Sequence, residues 1–308
     1  MVHKSAFIAI VGRPNVGKST LVNALVGAKV AITSKHPNTT RSAIRAIITR
    51  PHFQLVIVDT PGLHKPKTVL GERLNDVAHE SMDSVDIVAL CIPANETIGP
   101  GDEFIAHEIA RHRSSKKFLF ITKTDSVEKS AVLAHLSQAS ELASRAGFTW
   151  DEVVPLSAHT FDQISTVINL FHQHSPEGPA FFPADMSSDQ SREMLISEYI
   201  REAAIADVFQ EVPHSIAVIV DEITEREKRK NSDTSFFDIH ATIHVERDSQ
   251  KAIIIGEKAA RLKKVGINAR SEIEKLLNAK VFLGLHVRVT PDWQRDPKAL
   301  RRLGFISQ

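Results

Sequence analysis

Between residue 5 and about residue 172, short apolar runs alternate with segments whose apolar positions recur at helical spacing. The runs at 7–11, 43–49, 54–59, 86–92, 117–121 and 153–156 are largely apolar from end to end, which predicts strands covered on both faces. Between them, Val69, Leu70, Leu74, Val77 and Ala78 share one helical face, and Ile164, Val167, Ile168 and Phe171 share another. Such alternation predicts an α/β domain, a mostly parallel sheet with helices on both faces, over residues 5–173.

The pattern changes at 174–190, a stretch rich in proline and small polar residues that predicts a linker and a domain boundary. Beyond it, a helix around 192–209 leads to an apolar run at 216–220, a charged connection at 228–233 and an alternating run at 237–245. The two runs are expected to pair as a hairpin with one wet face. Apolar residues 252–255 then end at Gly256, helical segments follow to about 278, and a last strand is expected at 281–289. This predicts a smaller α+β domain at 191–290 with a tail at 291–308, and no internal repeat is visible.

Composition narrows the class. Of 308 residues, 42% are apolar and 24% charged, ordinary for a soluble globular chain, and no stretch approaches a membrane span. The amino terminus lacks the apolar core and cleavage site of a secretory signal, and the single cysteine, Cys91, falls inside an apolar run, so a reducing cytoplasm is expected. The net charge of +1 conceals an asymmetry: residues 251–308 carry 13 lysines and arginines against 5 acidic residues, whereas 191–250 carry 7 against 13. A basic block of that density suits an anionic partner such as RNA, with a solvated surface as the plain alternative.

The chemistry is clearest at residues 12–19, Gly-Arg-Pro-Asn-Val-Gly-Lys-Ser, directly after the first predicted strand. This is a complete G-x-x-x-x-G-K-S phosphate-binding loop, and Leu21, Val22 and Leu25 supply the helical face that must follow it, with Gly27 at its end. Lys18 is placed to neutralise the β and γ phosphates and Ser19 to ligate Mg²⁺. Asp59-Thr60-Pro61-Gly62 ends another apolar run, so Asp59 can reach Mg²⁺ and the Gly62 amide can bond the γ phosphate. Upstream, Thr40, chosen over Thr39, offers the second protein ligand to the metal. Downstream, Thr122-Lys123-Thr124-Asp125 puts a carboxylate where it can accept two guanine hydrogens, which favours GTP over ATP. Ser157 and Ala158 would bring backbone amides to the guanine O6. The expected nucleotide contacts are Gly12, Arg13, Pro14, Asn15, Val16, Gly17, Lys18, Ser19 and Thr20, then Asp59, Thr60, Pro61, Gly62 and Leu63, then Thr122, Lys123, Thr124, Asp125, Ser157 and Ala158.

In these motifs, and in Asn-Thr-Thr-Arg at 38, Asp-Thr-Pro-Gly-Leu-His at 59, Pro-Glu-Gly-Pro at 176 and Asp-Trp-Gln-Arg-Asp-Pro-Lys at 292, the chain resembles the translation-factor-like GTPases. Within them it resembles the Era family, of the TrmE-Era-EngA-YihA-Septin-like group, over nearly its whole length. The resemblance implies a Ras-like G domain and a type II KH domain, GTP hydrolysis to GDP, and binding to the 3′ end of 16S ribosomal RNA in assembly of the 30S subunit. Two departures stand out. Thr122 replaces the family's usual asparagine, whose amide reaches the base and braces the phosphate loop; threonine has one short hydroxyl for both tasks. Leu63 stands where Ras-like enzymes have the glutamine that orients water, so slow intrinsic hydrolysis is expected. His36 and His64 are weak substitutes in a chain with 15 histidines. Asn15 is the stronger candidate, because in similar GTPases an asparagine here helps hold a K⁺ ion, although a loop-stabilising hydrogen bond explains it equally well. The expected catalytic set is therefore Asn15, Lys18, Thr40 and Gly62.

A KH domain clamps RNA with a G-x-x-G loop between two helices. Here the loop reads Gly256-Glu257-Lys258-Ala259, with alanine at the second glycine position. Lys258, Arg261, Lys263 and Lys264 are expected at the RNA backbone, with Ile254, Ile255 and Leu262 towards the bases. A monomer is expected, and peripheral membrane association through the basic end stays open. The rival reading is a non-catalytic RNA-binding scaffold stabilised by nucleotide. A GTPase of membrane transport or transfer-RNA modification fits less well, since the chain has neither membrane spans nor a cysteine cluster.

Overall fold

The computed structural model describes residues 2–34, 36, 39–63, 68–206, 208, 215–226 and 235–305. They form two compact units divided between Asp189 and Gln190, with the short segment Thr68–Leu70 grouped with the second.

The first unit runs β1 (Lys4–Val11), α1 (Lys18–Val26), β2 (Ile44–Arg50), β3 (Phe53–Asp59), α2 (Val69–Asp83), β4 (Ile87–Pro93), α3 (Pro100–Arg111), β5 (Lys116–Thr122), α4 (Lys129–Ala146), β6 (Glu152–Pro155) and α5 (Ile164–His174). Its sheet has the order β2-β3-β1-β4-β5-β6, parallel except where β2 meets β3. Only a two-residue turn joins β2 to β3, too short for a crossover, so that pair must be antiparallel. Every residue of β4 is buried, as its unbroken apolar run requires. On one face, Leu21, Val22, Val167 and Phe171 of α1 and α5 pack with Phe118 and Phe120; on the other, Met82, Ile105, Ile109 and Leu142 of α2, α3 and α4 cover Val88, Leu90 and Leu119. The loops that leave the carboxyl ends of β1, β3 and β5 therefore gather along one edge of the sheet, the usual place for a ligand in an open α/β fold.

Residues 174–189 lie along this unit. Ser5 N–H donates to Pro176 O (3.1 Å), the amides of Phe181 and Phe182 both donate to Gln54 Oε1 (2.6 and 2.9 Å), and Ile47 N–H donates to Ser187 O (2.9 Å). The last contact covers the outer edge of β2, which would otherwise present unpaired backbone groups.

The second unit runs α6 (Arg192–Ile205), β7 (Ala217–Glu225), β8 (Phe236–Val245), α7 (Asp248–Ile255), α8 (Ala260–Leu277), β9 (Lys280–Val289) and α9 (Pro297–Arg302). β7 and β8 pair antiparallel, as the alternation predicts, and β9 joins β8 in parallel. Ile239, Ala241 and Ile243 face inward while His240 between them is exposed. The segment after β9 belongs to this core: Trp293 is fully buried, its Nε1 donates to Ser215 O (3.0 Å), and its ring stacks on Phe305. The charged connection expected at 228–233 and the last turn expected near 209 lie outside the described residues.

Candidate nucleotide site and nucleic-acid loop

Residues 12–17 connect buried β1 to the first turn of α1, and the chain needs unusual backbone angles to do so. Gly12 has φ 150°, Asn15 65° and Gly17 99°. A Cβ on Gly12 would stand 2.7 Å from the Cys91 carbonyl oxygen in β4, so no side chain fits there. Asparagine tolerates the left-handed region better than most residues, which suits position 15. Lys18 is buried, and its Nζ donates to Gly12 O (3.0 Å) and Arg13 O (2.9 Å), holding the ammonium across the loop. Burial lowers the Lys18 pKa, against the field of Asp59.

Three oxygens meet beside it. Ser19 Oγ lies 2.9 Å from Thr40 Oγ1 and donates to Asp59 Oδ2 (2.7 Å), and Thr40 Oγ1 donates to the same carboxylate oxygen (3.3 Å). Asp59 Oδ1 is buried with no hydrogen-bond partner. Burial pushes the Asp59 carboxyl up to about 6, against the opposing effects of the Ser19 hydrogen bond, the Lys18 charge and the Thr40 hydroxyl. A buried carboxylate oxygen with no partner, flanked by two hydroxyls, is the donor set of a hard cation. Thr40 is thus brought to Ser19 and Asp59, whereas Thr39, on the same cleft, has its Oγ1 donating to His36 O (2.7 Å).

The turn after β3 presses on the phosphate loop. Leu63 N–H donates to Gly12 O (3.3 Å), and a Cβ on Gly62 would lie 2.7 Å from Pro14 N. The side chains of Val16, Thr60 and Leu63 are buried, so those three can offer a nucleotide only their backbones. The Thr60 hydroxyl is committed to Ile10 O (2.7 Å).

After β5, Thr122 Oγ1 donates to Val16 O (2.6 Å). Its single hydroxyl therefore does brace the phosphate loop, the half of the asparagine's work that needs only a short reach. Asp125 Oδ1 accepts from Ser157 Oγ (2.6 Å), and Ser157 Oγ accepts from Thr160 N–H (3.2 Å). Ser157 thus fixes the Asp125 carboxylate, a role for its side chain that no local motif marks. Pro14, Asn15, Lys18, Thr40, Gly62 and Lys123 line one cleft of about 400 Å³, together with Ile32, Thr33, Ser34 and Glu96, which belong to none of the motifs. The segment entering this cleft is shaped by Asn23, whose Oδ1 accepts from Val30 N–H (3.0 Å) and Ala31 N–H (2.9 Å). Asn38 and His64 lie outside the described residues.

In the second unit, Gly256 caps α7 at φ 71°, and Lys258 and Ala259 follow at 47° and 61° before α8 begins. Two expected contacts need correction. Ile254 is fully buried in the core of the unit and cannot reach a base. Arg261 turns its guanidinium towards α6, where NH2 donates to Ala204 O (3.4 Å). Ile255 is partly buried, and Lys258, Lys263 and Lys264 are exposed on the loop and the first turns of α8. Leu262 does line a groove, of about 380 Å³, with Ala259, Lys263, Gly266, Phe282 and Leu285. This groove lies between α8 and β9; Phe282, half exposed on an otherwise alternating strand, is its legible signal.

Two family models match the chain. A model described as 50S ribosome-binding GTPase matches residues 7–124, and a KH domain model matches residues 211–294. GTPase Era of Streptomyces coelicolor is 52% identical over 304 residues, covering 99% of this chain and 96% of that protein. The chain belongs to the Era family of GTPases. GTPase Era of Mycobacterium tuberculosis is 50% identical over 303 residues, with 98% of each chain covered. Among solved structures, Era in complex with MgGDPNP and nucleotides 1506–1542 of 16S ribosomal RNA superposes with a TM-score of 0.92 at 35% identity, covering 98% of this chain and 99% of that one. A variant of Aquifex aeolicus Era bound to GDP·AlF4⁻ gives a TM-score of 0.91 at the same identity and coverage. Both units thus carry the fold expected from the sequence, a G domain with a mostly parallel sheet and a KH domain.

Proposed function

We propose that this Era-family chain binds GTP with Mg²⁺, hydrolyses it to GDP and phosphate, and uses its KH unit to hold the 3′ end of 16S ribosomal RNA during assembly of the 30S subunit. The observation that carries the GTPase half is the meeting of Ser19, Thr40 and Asp59 around an unpartnered buried carboxylate oxygen, at the mouth of the phosphate loop. Ser19, Thr40 and Asp59 would hold Mg²⁺, which supplies charge neutralisation of the phosphate oxygens. Lys18 neutralises the phosphates from the other side, the Gly62 backbone reads the γ phosphate, and Asp125, aimed by Ser157, reads guanine. Leu63 is apolar and buried, so it cannot orient water. We assign the charge stabilisation that an arginine finger would supply to a K⁺ ion, which would be held with the help of Asn15 on the cleft. Single-turnover hydrolysis in K⁺ and in Na⁺ at matched ionic strength tests this: acceleration by K⁺ that disappears in Asn15→Ala is expected, and equal rates in the two salts would remove Asn15 from the mechanism. Steady turnover at saturating GTP separates an enzyme from a scaffold.

The RNA half is supported by the solved Era complex with 16S ribosomal RNA and by the lysines beside the α8–β9 groove. Lys258→Glu and Lys263→Glu are expected to weaken binding of a 3′-end oligonucleotide and to lower the salt slope by about one unit each if each meets one phosphate. Phe282→Ala is expected to lose preference for single strands, because a stacking face disappears. No helix among the described residues is long and apolar enough to cross a membrane. The expected peripheral membrane contact rests on the same lysines, and co-sedimentation with anionic vesicles in competition with RNA tests it. We take the chain to act as a monomer, which light scattering checks.

A further inference from the structure

The Arg13 side chain does not line the nucleotide cleft. It runs to the first turn of α3, where Nε donates to Asp102 Oδ1 (2.8 Å) and NH2 donates to Glu96 Oε2 (3.1 Å). Asp102 is fully buried, and its other oxygen accepts from Gly99 N–H (3.0 Å), so both carboxylate oxygens have fixed partners. Room for the arginine is made by Gly101, where a Cβ would stand 2.7 Å from Arg13 Cδ. A charge fully out of water is tolerated only when paired, which makes the Arg13 position stiff.

That stiffness is placed where it matters for the third phosphate. The Arg13 carbonyl is one of the two acceptors that hold Lys18 Nζ (2.9 Å). The next residue, Pro14, is the wall against which Gly62 packs: a Cβ on Gly62 would meet Pro14 N, Cγ and Cα at 2.7, 2.8 and 2.9 Å. Gly62 is the residue whose backbone reads the γ phosphate, so its fit depends on where Pro14 stands, and Pro14 stands where Arg13 is anchored. The Asp125 carboxylate is held separately, by Ser157, and the network meets the base loop at Lys123, whose Nζ lies 3.9 Å from Glu96 Oε1. We propose that Arg13 and Asp102 are a positioning pair that sets the Pro14 wall for Gly62, and thereby favours GTP over GDP without affecting the choice of base.

The test compares the affinities for Mg-GDPNP and Mg-GDP, by fluorescence titration, of wild type, Arg13→Ala, Asp102→Asn, Gly101→Ala and the double variant Arg13→Ala with Gly101→Ala. The ratio of GDPNP to GDP affinity is expected to fall about tenfold in Arg13→Ala and Asp102→Asn, within the usual range of coupling between sites, while preference for guanine over xanthine nucleotides stays as in wild type. Gly101→Ala, which crowds the arginine without removing a charge, should give a smaller fall in the same ratio. The double variant should match Arg13→Ala alone, because the crowded side chain is then gone. Arg13→Lys, which keeps a charged donor, should recover part of the ratio. Equal weakening of both nucleotides, or a ratio within twofold of wild type, in Asp102→Asn and Gly101→Ala would reduce the pair to a structural brace and overturn the proposal. Those two variants leave the arginine in place, so the test stands even where Arg13→Ala fails to fold.

Discussion

The phosphate loop and the loop before α8 solve the same problem with different residues. Each turns into a helix N-terminus, where backbone amides can face an anion, through left-handed residues just ahead of that helix: Asn15 and Gly17 before α1, Lys258 and Ala259 before α8. The first loop is sunk between buried strands, roofed by Gly62 and pinned by Thr122, Lys18 and Arg13. The second is exposed, and the lysines flanking it point outward. A buried loop must hold a compact triphosphate in one geometry, so glycine sits where a side chain would collide. An exposed loop that grips a flexible polyanion can carry a methyl group at its left-handed cap and still work. The comparison contrasts a phosphate site built from fixed backbone with an exposed loop whose charged side chains can meet an anion.

The largest effects should come from adding a methyl group to each loop's first glycine. Gly12→Ala drives a Cβ to 2.7 Å from a carbonyl oxygen in the middle of β4, which cannot yield, at a φ of 150°. A loss of about 3 kcal/mol in unfolding free energy, read by urea denaturation without nucleotide, is expected from such overpacking and strain. Gly256→Ala meets Arg261 Cβ at the same 2.7 Å, but on the first turn of a helix whose surroundings are exposed. Its cost should be smaller, about 1–2 kcal/mol. Equal costs at the two sites would break the contrast between a buried and an exposed loop. The same collision means that a side chain at 256 disturbs its own unit before it meets RNA, so the lysines are the cleaner probes of binding.

Next in size is the reading of guanine. Asp125→Asn exchanges one carboxylate oxygen for an amide donor that faces guanine hydrogens, and the Ser157 hydroxyl should keep the remaining oxygen where it is. GTP affinity is expected to drop about a hundredfold while xanthosine triphosphate gains, as hydrogen bonds to charged groups are worth roughly 1.5–3 kcal/mol. Unchanged GTP affinity on titration would move base recognition elsewhere.

Much of this architecture is legible in the sequence. All six strands of the G domain and the β7–β8 hairpin can be read there, because strands buried on both faces show as unbroken apolar runs and a half-wet strand alternates. Two helices, α3 and α4, escape the pattern. Their inward faces include Asp102, which caps α3 and pairs with Arg13, Glu108, which pairs with Arg111, and His135, which meets the Ala131 and Glu96 carbonyls, and these interrupt the apolar period. The same limit hides the parts of the site that act through other residues. Motifs name groups that touch a ligand, whereas Ser157 and Asp102 act on protein atoms far away in sequence, and nothing local marks such pairs. Ile254 misleads for the opposite reason: an apolar residue beside a binding loop looks the same whether it faces the groove or the core.

Thr122 gives an intermediate effect and sharpens what pinning the buried loop is worth. Thr122→Val keeps the shape and leaves the Val16 carbonyl without the hydroxyl's donation at 2.6 Å. An unsatisfied buried acceptor costs about 1–3 kcal/mol, so GDP affinity should fall about tenfold. Thr122→Asn should instead keep the brace and extend a donor and acceptor towards the base, tightening GDP a few-fold. If Thr122→Val binds GDP like wild type, the brace contributes nothing and the phosphate loop holds itself.

The smallest effect tests the exposed loop alone. Ala259 sits at φ 61° and ψ 18°, the left-handed region where a Cβ crowds the following carbonyl. Left-handed backbone costs a non-glycine residue about 1 kcal/mol, whereas glycine gives back part of the gain as extra freedom in the unfolded chain. Ala259→Gly is therefore expected to raise stability by a few tenths to about 1 kcal/mol, since the relief of strain exceeds the entropic loss. RNA affinity should stay equal or rise modestly, because Ala259 lines the groove at the loop, where its methyl group would stand between the backbone and a bound strand. Differential unfolding of the two proteins, followed by binding of the same oligonucleotide at near-physiological salt, gives both numbers. Lower affinity in Ala259→Gly would show that the methyl group packs against RNA, and that this loop, like the phosphate loop, is fitted to its ligand in detail.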